Sequence, residues 1–232
     1  GFPGAAAGRL RPHKKWKPIE QATISYGHGM SVSLLQMARA YTIFAGDGEL
    51  LPAQLFRAED DIRGGRPMQV STRSRPLDDT VRGVPVIRPE TAAALRKMLE
   101  MAAGPKGTAP SAQVPGYRVG GKTGTTTKIE NGRYVKKYVA SFVGMAPMSD
   151  PRIIVAVMID EPSAGKYYGG QIAGPVFSRI AGDALHALAV EPDAPFETMI
   201  GPATPPGGAA PAGPAAGKAA ARGAKPPARG RV

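Results

Sequence analysis

Lys122, Thr123 and Thr125, with Gly124 between them, are the residues of this 232-residue chain whose types and spacing best suit chemistry. A lysine brings a cation and threonines bring hydroxyl donors. Together they can hold a carboxylate or a phosphate through charge-assisted hydrogen bonds. A glycine in the same row removes the side chain that would keep a ligand's backbone away from a strand. A backbone N–H of such a strand can then point at a developing oxyanion. Strand alternation puts Lys122 and Gly124 on one face and Thr123 and Thr125 on the other, so twist has to bring both rows to one ligand.

The same stretch also spells a phosphate-binding loop. Gly116-Tyr117-Arg118-Val119-Gly120-Gly121-Lys122-Thr123 fits G-x-x-x-x-G-K-T. Ile154-Val155-Ala156-Val157-Met158-Ile159-Asp160 even imitates an apolar strand ending in a metal-binding aspartate. A nucleotide-binding ATPase is therefore the alternative function. Such a loop needs a buried strand before its first glycine and a helix directly after the lysine. Here Thr108-Ala109-Pro110-Ser111-Ala112-Gln113-Val114-Pro115 precedes it, and Gly124 with three more threonines follows. Glycine and threonine are poor helix formers, so the context favours an extended strand.

The elements that must position this strand are legible around it. Asn131-Gly132 is the strongest short hairpin signal, and it predicts a turn directly after the threonine row. Residues 138–146 are mostly apolar and 153–159 wholly so, with Ser149-Asp150-Pro151 turning the chain between them. Three extended segments joined by short turns predict antiparallel neighbours. Ser33 with Gln36 three residues on predicts a capped helix, with an apolar face of Leu34, Leu35, Met37, Ala38, Tyr41 and Ala45. Gly46 is expected to end it in a left-handed cap. Pro89 predicts the start of a second helix, buried through Ala92, Leu95, Met98, Leu99 and Ala102 and stopped by Gly104-Pro105. A last helix is expected from near Pro175, with Phe177, Ile180, Ala181, Ala184, Leu185 and Leu188 as its stripe and His186 outside. Residues 1–20 read as a turn-rich surface connection pinned by Trp16. Residues 46–88 read as a long surface excursion with a short strand within 84–87. His28 sits in the glycine-rich loop Ser25-Tyr26-Gly27-His28-Gly29, where a local hydrogen-bonding role is favoured over a catalytic one.

Composition bounds the function classes. The formal charge is +12, and the last 32 residues hold five bases and no acid, which leaves +7 for residues 1–200. The bases are scattered, with no basic helix interleaved with aromatics, so nucleic acid is not an expected partner. The absence of cysteine excludes disulfides, thiolate metal sites and cysteine nucleophiles. The longest apolar run, 153–159, is far short of the roughly 20 residues a membrane span needs. The chain opens without methionine or leader, which suggests a fragment or processed chain. From Gly201 onward alanine, glycine and proline supply 25 of 32 residues, so 198–232 is expected to be a disordered basic tail.

Several strings carry a resemblance. They are Ala22-Thr23-Ile24-Ser25-Tyr26-Gly27-His28-Gly29, Leu35-Gln36-Met37-Ala38-Arg39-Ala40-Tyr41, Gly120-Gly121-Lys122-Thr123-Gly124-Thr125 and Ala164-Gly165-Lys166-Tyr167-Tyr168-Gly169-Gly170. From residue 1 to about 195 the chain resembles the class B penicillin-binding proteins, in particular the cell-division type that cross-links septal peptidoglycan. The resemblance implies an α/β fold of the α+β type, an antiparallel sheet flanked by helices. It would be part of the serine penicillin-recognising domain shared with β-lactamases, here spanning 1–197. It implies a D,D-transpeptidase that forms an acyl-serine intermediate on stem peptides ending in D-Ala-D-Ala. No metal or organic cofactor is implied. β-Lactams and divisome membrane proteins are the implied partners. The implied location is the periplasmic face of the inner membrane, with an N-terminal anchor outside this chain.

Of the family's three motifs, Lys-Thr-Gly maps to Lys122, Thr123 and Gly124. Lys122 is the implied catalytic-site cation, and Lys122, Thr123, Gly124 and Thr125 are the implied substrate contacts. The resemblance also implies that the Thr125 N–H joins the oxyanion hole. The ligand-side aromatics map to Tyr138, Tyr167 and Tyr168. Ser-x-Asn is missing, because Asn131 is the chain's one asparagine and Ile129 stands two residues before it. The one Ser-x-x-Lys, Ser163-Ala164-Gly165-Lys166, follows a proline and precedes a glycine-rich loop, where a nucleophile's fixed base geometry is not expected. The nucleophile is thus expected outside this chain. A β-lactamase or D,D-carboxypeptidase shares the fold and the triplet, and a non-catalytic assembly module is the remaining alternative.

Overall fold

The computed structural model describes residues 6–53, 83–163 and 165–194. Most of the excursion predicted within 46–88, and the tail predicted from 198, lie outside the described residues.

Pro18–Ile24 forms helix α1, inside a stretch expected to be irregular up to residue 20. Pro18 supplies the preset backbone of a first helical position, and the Lys17 N–H donates to Glu20 Oε2 at 2.8 Å. Trp16 pins the preceding turn, its Nε1–H donating to the Arg11 carbonyl at 2.8 Å. The glycine-rich turn after α1 has Gly27 and Gly29 at φ +93 and +84, as a tight loop requires.

Leu34–Ala45 is helix α2, with the expected reciprocal cap: Gln36 N–H donates to Ser33 Oγ, and Ser33 N–H donates to Gln36 Oε1. Its end differs from the expectation. Gly46 is not left-handed but sits at φ −106. Arg96 reaches over from another helix and donates to the Phe44 and Gly46 carbonyls at 3.1 and 2.7 Å. A borrowed guanidinium thus satisfies carbonyls that a left-handed turn would otherwise pair. Glu49–Leu50 (β1) pairs antiparallel with Val84–Pro85 (β2). Pro89–Ala103 is helix α3, opened by Pro89 as expected. Its buried positions are Ala92 and Ala103, and Leu99 packs on the core, whereas Met98 is exposed.

Gly120–Glu130 (β3), Arg133–Ala146 (β4) and Ile153–Asp160 (β5) form an antiparallel sheet in the order β3-β4-β5. Asn131 and Gly132 have φ +50 and +76, the pair of positive angles that a two-residue hairpin turn demands. Gly169–Ala187 is helix α4. It starts six residues before the expected Pro175, which lies inside the helix. A proline within the second turn costs one hydrogen bond but not the helix when the flanking residues are packed. The buried row is Ala173, Phe177, Ala181 and Leu185, spaced four apart, while Ile180 and Leu188 are exposed.

The sheet is packed on both faces. One face meets α4, where the Phe142 and Phe177 rings contact edge to face at 4.8 Å. Gly121 and Gly144 make room for those rings, since a Cβ on either would collide with them. The other face meets α2 and α3 through Val143, Met145, Tyr41, Met37 and Leu99. Behind α4 the chain closes back. The Asp193 carboxylate accepts from the Arg118 and Ser149 N–H groups at 2.7 and 3.0 Å, and the Tyr117 hydroxyl donates to the Val190 carbonyl at 2.7 Å.

Phe177→Ala should lower the unfolding free energy by about 3–5 kcal/mol, read from urea denaturation, because it empties the contact between α4 and the sheet. Burial raises the Tyr41 phenol to about 12. The native state therefore keeps a proton that the unfolded chain loses near its ordinary value of 10. Below pH 10 the stabilisation is intact, and from pH 10 to 12 it declines by up to about 1.4 kcal/mol per pH unit. Urea titrations across this window should show Tyr41→Phe gaining on the parent chain as pH rises.

Candidate functional site

β3 borders the sheet, and its first half carries the candidate residues. Lys122 is exposed, and its Nζ donates to the Thr123 carbonyl at 3.0 Å. In register, Lys122 lies opposite Val143 and Gly124 opposite Ser141, on the face that α2 and α3 cover. Thr123 and Thr125 lie opposite Phe142 and Ala140, on the α4 face. The alternation read from the sequence is therefore kept.

Thr125 is fixed by a neighbour. The Gly169 N–H donates to Thr125 Oγ1 at 2.9 Å, where α4 begins. A threonine hydroxyl that accepts from a backbone N–H still has its own proton to give, so Thr125 is held in place yet remains a donor. Thr123 Oγ1 lies 3.4 Å from Thr108 Oγ1, a long contact that leaves it free to re-aim. Gly124 has a second reason to lack a side chain besides ligand access: a Cβ there would run into Ser141 Oγ. A Cβ on Gly169 would overlap the carbonyl oxygens of Gly124 and Ser141, and one on Gly170 would overlap that of Thr108. The start of α4 thus lies directly against the backbone of the candidate strand. Ser111 Oγ donates to the Gly170 carbonyl at 2.6 Å and ties the loop before β3 into the same junction.

The three tyrosines come together beside this junction. Tyr138 and Tyr167 stack with centroids 4.3 Å apart and planes 15° apart, and Tyr167 and Tyr168 meet at 4.6 Å. The Tyr167 hydroxyl donates to that of Tyr168 at 3.4 Å, and this bond, with the neighbouring phenol's charge, raises the Tyr167 phenol above its ordinary value. Sequence reasoning missed Thr108, Ser111, Ser141 and Gly169. Only the paired glycines after Tyr168 signalled a close approach.

The competing motifs fare differently. Lys122-Thr123 continues as strand to Glu130, with no helix after it, so the phosphate-loop alternative lacks its scaffold. Asp160, the mimic of a metal-binding aspartate, is bound by Lys128 Nζ at 3.0 Å. Ser163 and Lys166 are exposed in the connection between β5 and α4. His28 is exposed in the turn after α1. No cluster of potential metal ligands occurs among the described residues.

Residues 1–182 match the family model of the penicillin-binding protein transpeptidase domain. The chain belongs to that family. It is 44% identical over 197 residues to a Neisseria flavescens protein named probable peptidoglycan D,D-transpeptidase PenA, covering 84% of this chain and 44% of that protein. It is 35% identical over 195 residues to peptidoglycan D,D-transpeptidase FtsI of Escherichia coli, covering 84% and 30%. Among solved structures it resembles the apo TP domain of Burkholderia pseudomallei penicillin-binding protein 3, at 55% identity and TM-score 0.71, covering 84% of this chain and 54% of that one. The chain therefore spans less than half of these two curated relatives and about half of that solved domain. The penicillin-binding family expected from the motifs is the family found, and its mixed α/β fold is the one observed.

Gly169→Ala tests the junction. Alanine in place of glycine favours a helix by up to about 1 kcal/mol, but overpacking against fixed backbone costs about 1–3 kcal/mol. Thermal melts should show a net loss of stability. Tyr168→Phe should bring the Tyr167 phenol down toward its ordinary value, read by ultraviolet tyrosine titration.

Proposed function

We propose that residues 120–125 form the substrate-holding wall of a serine D,D-transpeptidase that cross-links peptidoglycan during septal wall synthesis. The observation that carries this is a lysine, two threonine hydroxyls, that of Thr125 anchored, and a bare glycine on one border strand, in a penicillin-binding transpeptidase domain. A stem peptide ending in D-Ala-D-Ala lies along β3. Its terminal carboxylate is held by Thr123 and Thr125 with the Lys122 charge nearby, and its scissile carbonyl oxygen meets the Thr125 N–H. Tyr138, Tyr167 and Tyr168 flank the ligand. β-Lactams occupy the same place.

A serine attacks the penultimate D-alanine carbonyl, the C–N bond to the terminal D-alanine breaks, and that amine leaves with a proton. An amine of a neighbouring stem then attacks the acyl-serine and releases the serine hydroxyl. The nucleophile and its base come from sequence outside these 232 residues, which is supported by the absence of Ser-x-Asn and the exposed setting of Ser163. The protein works at the periplasmic face of the inner membrane with divisome membrane proteins. No helix among the described residues is long and apolar enough to cross a membrane, so the proposed anchor is also sought outside this chain.

In the full-length protein, Lys122→Ala should slow acylation by fluorescent penicillin roughly 10- to 100-fold, the worth of a charge-assisted hydrogen bond. The 232-residue chain alone should form no covalent adduct. A stoichiometric adduct on that chain would make Ser163 the nucleophile. A full-length protein that never acylates would point instead to a non-catalytic assembly module.

A further inference from the structure

Helix α4 is loosely built where it meets the candidate strand. Its first two residues are Gly169 and Gly170, which have the most backbone freedom to lose on ordering. Its N-cap is Tyr168, whose side chain makes no capping bond. Pro175 brings no N–H to the Gln171 carbonyl four residues back, so the first turn also lacks one of its own bonds. Yet this turn carries the Gly169 N–H that donates to Thr125 Oγ1 at 2.9 Å. A contact from outside the helix has to hold it.

The turn Pro110–Ala112 is placed to do so. Ser111 Oγ donates to the Gly170 carbonyl at 2.6 Å. The turn itself is firmly seated: Ala109 and Ala112 are fully buried, and the Ala109 N–H donates to the Ala102 carbonyl of α3 at 3.1 Å. The helix is shaped to admit the serine, since a Cβ on Gly174 would lie 2.7 Å from Ser111 Oγ. A second serine ties the same two segments together, with Ser178 Oγ donating to the Gln113 carbonyl at 2.6 Å. Ser178 lies about two turns further along α4, next to the fully buried Phe177. There the core row of α4 already fixes the helix.

We propose that Ser111 is a positioning residue of the substrate site. Its bond to the Gly170 carbonyl keeps the Gly169 N–H on Thr125 Oγ1, and the Thr125 hydroxyl then gives its own proton to the substrate's terminal carboxylate. Ser111 acts through that hydroxyl and does not touch the substrate. The Thr125 N–H is fixed differently, by the pairing of β3 with β4, so the oxyanion contact does not depend on Ser111. A carboxylate contact made equally before and during acylation is uniform binding. Weakening it raises the half-saturating concentration without slowing the limiting rate. This role rests on the transpeptidase reading of Lys122–Thr125.

The test uses the full-length protein, with fluorescent penicillin reporting acylation and hydrogen exchange reporting the Gly169 amide. Ser111→Ala should raise the half-saturating penicillin concentration about 2- to 10-fold, the worth of one neutral hydrogen bond, at an unchanged limiting rate. Exchange of the Gly169 amide should quicken by a similar factor. Ser178→Ala removes a bond of the same kind from the same helix and should change neither reading. In a Thr125→Ala background, Ser111→Ala should add nothing to the half-saturating concentration. In a protein that acylates, an unchanged half-saturating concentration in Ser111→Ala overturns the proposal, as does a loss confined to the limiting rate. So does an equal effect of Ser178→Ala, which makes the bond merely structural, or an undiminished effect beside Thr125→Ala, which takes it off that hydroxyl. A parent protein that does not acylate sinks the transpeptidase reading, and Gly169 exchange then decides alone. Quickened exchange in Ser111→Ala keeps the hold of Ser111 on α4, and unchanged exchange overturns it.

Discussion

A helix can start against the backbone of a strand only where it carries no side chain at the point of contact. That constraint is met at Gly169, whose Cβ would overlap the Gly124 and Ser141 carbonyl oxygens, and the rest of the candidate site follows from it. The Gly169 N–H, an unpaired donor of the helix start, finds Thr125 Oγ1. Helix α4 is in turn fixed by Phe177 on Phe142, so a core contact sets the position of a polar hydroxyl. The Ser111 bond to the Gly170 carbonyl locks the preceding loop to the same place. Lys122, Thr123 and Thr125 are thereby presented from a strand held on both faces, which suits a site that has to bind without rearranging.

Much of this was legible beforehand. Asn131-Gly132 fixed the hairpin because only residues tolerant of positive φ make that turn. Ser33 and Gln36 marked the start of α2, and Pro89 the start of α3. These are local signals whose partners lie within a few residues. The Lys-Thr-Gly row is equally plain in the sequence, where its context sets it apart from a phosphate loop.

What was not legible depends on distant partners. Pro175 looked like a helix start, yet α4 begins at Gly169, because the closeness of Thr108, Gly124 and Ser141 shapes that junction. Gly46 looked like a left-handed cap, yet Arg96, fifty residues away, takes the carbonyls. Ile180 and Met98 fitted a helical stripe but are exposed, since a period of 3.6 cannot say how wide the covered face is.

The most direct measurement is the crystal structure of the full-length protein acylated by a penicillin. The account predicts the ligand lying along β3, its carboxylate within hydrogen-bonding distance of the Thr123 and Thr125 hydroxyls and its ester carbonyl oxygen at the Thr125 N–H. The acylated serine should lie outside the present sequence. A ligand bound to Ser163, or one whose carboxylate makes no contact with β3, would contradict it.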